Sequence, residues 1–200
     1  MSVHFDQTSS ITTELFREDG DGYLSIATLG DEPTGSTCSI DAARKYFGDG
    51  VGRLSGFGTF EQCGEAVAQG IADYAVMPAA YPQIHNHFFD ARLRASSTFL
   101  HQLPDIVAAS PHASYPQTVS YVYHHPATTR LVLDLEPKSS RLECTSNTKA
   151  CADLLASPHD SGTSIAVTNR LAADAFGLTR HRTLAPGENM AFVVFRRAAR

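Results

Sequence analysis

Asp73-Tyr-Ala-Val-Met77, closed by Pro78, is the stretch that decides the fold. So short and nearly continuous an apolar run reads as a strand buried on both faces, in a sheet with helices on either side. The residues before it agree. Thr59 caps a helix that puts Phe60, Cys63, Val67 and Ile71 on one face. Further upstream, Leu24-Ser-Ile-Ala-Thr-Leu29 is a strand ending at Gly30. Ser36-Thr-Cys-Ser39 is N-cap material for a helix bearing Ala42, Ala43, Tyr46 and Phe47, which Gly48 stops.

Downstream the alternation continues. Leu93 with Thr98 to Leu100, and Ile106 to Ala109, read as two short strands punctuated by Pro104 and Pro111. Val119 to Tyr123 is a strand that runs into His124-His125-Pro126, and Pro126 suits the first turn of a helix carrying Leu131, Val132 and Leu135. Arg141 to Cys144 is a strand, and Ser146-Asn147-Thr148 opens a helix with Ala150, Leu154 and Leu155. Ser164 to Val167 is a strand, 169–176 a helix capped by Gly177, and Ala191 to Phe195 the closing strand. Strand and helix alternating in this way imply an α/β protein with a parallel or mixed sheet.

The bulk numbers bound the function. With 200 residues, 42% hydrophobic and 18% charged, the chain can bury a real core. A net charge of −5 with a pI near 5.9 argues against a nucleic-acid partner. No apolar run approaches the ~20 residues of a membrane span, and the N-terminus lacks the basic and apolar segments of a signal peptide, so a cytoplasmic location is expected. Cys38, Cys63, Cys144 and Cys151 form no CxxC, which fits reduced thiols, and no zinc-ligand spacing is present, so no metal is expected.

Residues 1–22 read as a poorly ordered extension and 23–200 as the folded part. Chain crossings at 78–82 and near 176–179 divide it into lobe one, about 23–78 plus 178–200, and lobe two, about 79–177. That is the layout of a hinged binding cleft.

Several segments recur in order along one family. Leu29-Gly30, Thr37-Cys-Ser39 with Ala42-Ala43, Phe60-x-x-Cys63, Ala72-Asp-Tyr-Ala-Val76-x-Pro78, Tyr123-x-His125-Pro126, Ser146-Asn-Thr148-x-Ala150 and Phe176-Gly-Leu178 resemble the prephenate dehydratases from about residue 24 to 197. The resemblance implies a two-lobed fold like the type II periplasmic binding proteins, with prephenate between the lobes. It also implies a homodimer and no cofactor. The chain departs from the dehydratase pattern at Pro78-Ala-Ala80-Tyr81, where the family has an acidic and an amide residue. It departs again at Met190-Ala191-Phe192, where the family has Thr-Arg-Phe and the Thr is the acid for the leaving hydroxyl. In both places, and in Thr168-Asn-Arg-Leu-Ala172, it resembles the bacilysin- and salinosporamide-type prephenate decarboxylases, which like it end without a regulatory ACT domain. That branch removes the ring carboxylate without aromatising the ring.

Candidate residues follow from these motifs. Thr37, Cys38 and Ser39 at one helix start, and Ser146, Asn147 and Thr148 at another, can offer donors to an anion, although the same residues serve as ordinary N-caps. Ala80, Asn169 and Asn189 join them as binding candidates; in a register shifted by one, Asn189 takes the donor position of a dehydratase. For proton transfer the candidates are Tyr81, His85 and His125, with His87 beside them, while Met190 marks the missing acid. The bland alternatives are a solvent-exposed loop for His85 and His87 and a structural hydrogen bond for His125. Three functions remain open on these grounds: a non-aromatising decarboxylase, a dehydratase, and a binding protein without turnover.

Overall fold

The computed structural model describes residues 24–30, 37–158 and 162–199, so the reading of 1–22 falls outside the described residues. Ten strands form two five-stranded sheets. Sheet one contains β1 (Leu24–Leu29), β2 (Val51–Phe57), β3 (Tyr74–Pro78), β4 (Leu93–Gln102) and β10 (Asn189–Arg197), in the order β2-β1-β3-β10-β4. Sheet two contains β5 (Ile106–Ser110), β6 (Tyr121–His124), β7 (Ser140–Glu143), β8 (Ser164–Asn169) and β9 (Thr179–Ala185), in the order β7-β6-β8-β5-β9.

The central strands are the apolar runs. β3 buries Ala75, Val76 and Met77 completely because α1 (Cys38–Phe47) covers one face of sheet one and α2 (Phe60–Gln69) the other. β10 alternates between the two layers. Phe192 and Val194 pack with Ala42, Ala43 and Phe47, while Val193 and Phe195 pack with Phe60, Cys63 and Val67. In sheet two, α5 (Asn147–Leu155) and α6 (Arg170–Ala175) cover one face through Cys151, Leu154 and Ala172, and α4 (Thr129–Leu135) covers the other through Val132. The helix ends follow the sequence: Thr37 and Thr59 cap α1 and α2, the latter in a reciprocal box with Gln62, and left-handed Gly70 stops α2. Ile71 lies past that stop and is 53% exposed, so it leaves the apolar face assigned to it.

Three elements differ from the reading of the sequence. β2, β9 and α3 (Ile84–Phe89) carry no strong local signal, whereas the two strands expected around Leu93 to Leu100 and Ile106 to Ala109 are β4 and β5. β2 and β9 are sheet edges, half open to water, which leaves no apolar run to read. The pairing also moves the lobe boundaries. β4 pairs with β10 from Leu93 to Gln102 and β9 pairs with β5, so the chain crosses between sheets at 103–105 and 186–188 instead of 78–82 and 176–179. The Pro78 and Gly177 stops are local turns within one sheet.

Those two crossings lie side by side. The Leu103 N–H donates to the Glu188 carbonyl at 2.9 Å, and the Gly187 N–H to the Asp105 carboxylate at 2.9 Å. A Cβ on Gly187 would stand 1.8 Å from the Leu103 carbonyl oxygen, so only glycine permits this approach.

Candidate active site

β1, β2 and β3 are parallel, and β10 runs against both β3 and β4. The carboxyl ends of β1 to β4 and the start of β10 therefore share one edge of sheet one. In sheet two, β6, β7 and β8 are parallel and β5 runs against β8 and β9. Its carboxyl edge therefore holds the ends of β6 to β9 and the start of β5. Both crossings join one carboxyl edge to the other, and three residues reach at most ~11 Å. The two edges thus face each other at close range, where ligands of open α/β sheets bind. One contact closes the gap: the Asn169 Nδ2 donates to the Cys38 Sγ at 3.6 Å.

From sheet one, the start of α1 reaches this crevice. Thr37 Oγ1 accepts from the Ile40 N–H at 3.2 Å and donates to the Leu29 carbonyl at 3.0 Å, which holds the helix start onto the end of β1. Ser39 is buried, and burial followed by nearby Asp41 pushes the Cys38 thiol up to about 11, so it stays protonated at neutral pH. The turn after β3 exposes Ala80 and lies against β10 through a bond from the Ala79 N–H to the Ala191 carbonyl at 2.8 Å. Tyr81 turns from this edge toward α2. Its ring packs on Phe60 at 4.7 Å, its hydroxyl donates to the Glu61 carboxylate, and burial with that bond raises it to about 12. Met190 is half-buried and packs with the α1-side core, while Asn189 is exposed.

His85 and His87 stand on α3. His85 is exposed, with Nδ1 at 3.2 Å from the Pro82 carbonyl. His87 is a core residue, not an exposed one: Nε2 donates to the Phe60 carbonyl at 3.1 Å, and its ring occupies the space that a side chain on Gly64 would need.

From sheet two, three strand ends contribute caps. Ser146 Oγ accepts from the Lys149 N–H at 2.9 Å to start α5, and Thr148 is buried behind it. Asn147, the first residue of α5, has its side-chain oxygen buried without a hydrogen-bond partner. Asn169 caps α6 through Oδ1, at 2.8 Å from the Ala172 N–H, which frees its amide nitrogen for Cys38. His125 Nδ1 accepts from the Ala127 N–H at 3.2 Å, and burial with His124 beside it lowers its pKa. A neutral ring acting as a cap is the structural role its sequence position suggested.

The structure thus unites the Thr37–Ser39, Asn169 and Ser146–Thr148 groups at facing edges, with Ala80, Asn189 and Met190 at the rim of sheet one. Sequence reasoning passed over Asp41 and His101. His101 Nε2 lies 2.9 Å from Asp41 Oδ2, and His101 pairs with Met190 across β4 and β10. Only that register reveals it. Among the described residues no three His, Cys, Asp or Glu side chains gather as metal ligands, and no helix is long and apolar enough to cross a membrane. An open cavity of about 960 Å³, lined by Leu24, Asp73, Tyr74 and Arg196, lies at the opposite edge of sheet one, away from the crevice.

Comparison with known proteins agrees with this geometry. A prephenate decarboxylase of Bacillus subtilis is 26% identical over 186 residues, 88% of each chain. A prephenate dehydratase of Arthrobacter aurescens, solved with L-Phe, superposes with a TM-score of 0.71 at 16% identity, over 88% of this chain and 61% of its own. The chain resembles the prephenate decarboxylases in sequence and the prephenate dehydratases in fold. A periplasmic substrate-binding protein of an ABC transporter from Coxiella burnetii shares the wider two-lobed architecture, with a TM-score of 0.52 at 16% identity, over 87% of this chain and 84% of its own. The chain therefore spans about three-fifths of the Arthrobacter enzyme but most of the Bacillus one. No family model matches it.

Proposed function

We propose that the protein is a non-aromatising prephenate decarboxylase, a cofactor-independent carboxy-lyase that yields a dihydro-4-hydroxyphenylpyruvate and CO2. The observation that carries this reading is the pair Met190 and Ala191 at the start of β10, on the crevice edge. Prephenate can lose its ring carboxylate and hydroxyl together, because an aromatic ring results. An acid beside the hydroxyl promotes that outcome, and neither a thioether nor a methyl group can donate a proton to oxygen. Carboxylate loss then proceeds with the hydroxyl retained. Similarity to a Bacillus prephenate decarboxylase along most of both chains supports the same choice.

The crevice is suited to the rest of the task. The dipole at the start of α5 favours the substrate's carboxylates, and the start of α1 faces it. Ala80, Met190 and Ala191 make the sheet-one rim apolar, and a carboxylate moved from water to such a surface gains by leaving as neutral CO2. Thr37, Cys38, Ser39, Ser146, Asn147, Thr148, Asn169 and Asn189 form the binding set in this reading, and Tyr81, His85 and His125 flank it. In this reading the product is a non-proteinogenic precursor for specialised, antibiotic-type biosynthesis, and the protein works in the cytoplasm as a homodimer.

Incubation with prephenate at neutral pH tests the reading. Loss of prephenate with CO2 release and no phenylpyruvate absorbance is expected. Appearance of phenylpyruvate would instead make it a dehydratase, and tight binding without turnover a binding protein of the same fold.

A further inference from the structure

Carboxylate loss leaves an electron pair that must be quenched by a proton on a ring carbon, so the crevice needs a donor as well as a binding surface. Most titratable groups named so far suit this poorly. The Cys38 thiol sits at about 11 and Tyr81 at about 12, with the Tyr81 proton already given to Glu61. His125 spends Nδ1 as an acceptor, and its ring is biased toward the neutral form.

His101 is placed differently. It is the penultimate residue of β4, at the crevice edge, directly across from Met190. Its ring stands edge-on to Phe192, with centroids 6.0 Å apart, on the face covered by α1. Asp41, in the first turn of α1, holds Nε2 at 2.9 Å. The other nitrogen, Nδ1, makes no hydrogen bond among the described residues, which leaves it open to a ligand. A ring clamped by a carboxylate at one nitrogen and open at the other is the arrangement by which imidazoles move protons near neutral pH.

We infer that His101 is the proton donor of the decarboxylation, with Asp41 as its positioning residue; this rests on the decarboxylase reading above. The bond between the ring carbon and its carboxylate breaks, CO2 departs, and the electron pair enters the ring diene. The displaced π pair takes the Nδ1 proton of the imidazolium. The neutral ring keeps its Nε2–H on Asp41 and regains a proton from water in the crevice. Among the described residues, α1 presents Asp41 to His101, with Lys45 at 3.4 Å from the same carboxylate and Cys38 one turn before Asp41. β10 presents Met190 and Phe192 there, which do not titrate.

The test compares wild type, His101→Gln, Asp41→Asn and Asp41→Glu with prephenate, reading CO2 release, KM and the pH dependence of kcat. Wild-type kcat should fall toward alkaline pH, as for any enzyme whose donor must carry its proton. His101→Gln should lose about 10²–10⁴-fold in kcat with KM within about threefold, and that alkaline limb should vanish. Asp41→Asn should lower kcat at least about tenfold with KM within about threefold, and Asp41→Glu should restore it, which a merely structural pair would not do; these variants decide the matter if His101→Gln fails to fold. A His101→Gln rate within about threefold of wild type, with the limb intact, would overturn the inference alone. A wild type that releases no CO2, or releases it with the absorbance of phenylpyruvate, would end the decarboxylase reading and the donor assignment with it.

Discussion

Sheet one and sheet two are built alike. In each, three parallel strands lie in the order second, first, third, and two further strands flank the third, the nearer one antiparallel. Each turns its carboxyl ends and helix starts toward the other. The side chains at those ends differ. Sheet one brings titratable groups, the Asp41–His101 couple, Cys38 and the Glu61–Tyr81 pair. Sheet two brings neutral caps, Ser146, Asn147 and Asn169. One architecture used twice thus presents titratable side chains on one half and neutral helix caps on the other.

If the halves are as interdependent as the crossings imply, damage to either should weaken both. β10 completes sheet one only after the chain has passed through sheet two, and the 103–105 and 186–188 segments are bonded to each other. Phe195→Ala empties a fully buried position in sheet one, and Leu154→Ala empties one over sheet two. Losses of about 3–5 and 2–5 kcal/mol are expected, in a single urea transition in each case. Two resolved transitions would show that the halves fold separately and that the crossings are merely tethers.

A smaller effect should separate holding from chemistry. The Asn147 side-chain oxygen is buried and unpaired, a state that costs about 1–3 kcal/mol until something donates to it. The ring hydroxyl is the donor that prephenate has. Asn147→Ala should therefore leave the free protein as stable as wild type or more so, while raising the substrate Kd about 5- to 150-fold and changing kcat little. Calorimetry and steady-state kinetics on one preparation give both numbers. A kcat loss with unchanged affinity would put chemistry on the wrong half.

How much of this could be read from the chain follows from which interactions are local. β1, β3 and β8 are fully covered strands, so their apolar runs announce them, and the caps at Thr37, Thr59, Ser146 and Asn169 mark where helices begin. β2 hides because Gly52, Arg53 and Gly56 interrupt it and only β1 pairs with it. β4 shows itself only through Leu93 and Thr98 to Leu100, because one edge is open and exposed residues fill its middle. The binding caps were legible for the same reason as the helices they start. The Asp41–His101 couple was not, because its partners are sixty residues apart and meet only through the β4–β10 register and the packing of α1.

Acid should distinguish the halves most gently. In sheet two, burial followed by neighbouring His124 lowers the pKa of His125, and burial followed by His112 lowers that of His181, both from the ordinary value of 6.5. A lowered folded pKa means that the unfolded chain binds more protons just below 6.5, so this contribution is present above 6.5 and fades as pH falls through the folded values. In sheet one, Tyr81 bonded to Glu61 and Arg92 bonded to both Glu65 and Asp90 hold those carboxylates low. Their contributions are intact above about 4.5, the ordinary value for Glu, and fade only at lower pH. Between pH 6.5 and 5 the sheet-two amides should thus lose hydrogen-exchange protection first, and Tm should fall. His125→Asn keeps an acceptor for the Ala127 N–H and removes one of the two titrations, so its Tm should fall less over that interval. Equal slopes for variant and wild type would assign the acid sensitivity elsewhere, and earlier loss of protection in sheet one would reverse the ranking of the two halves.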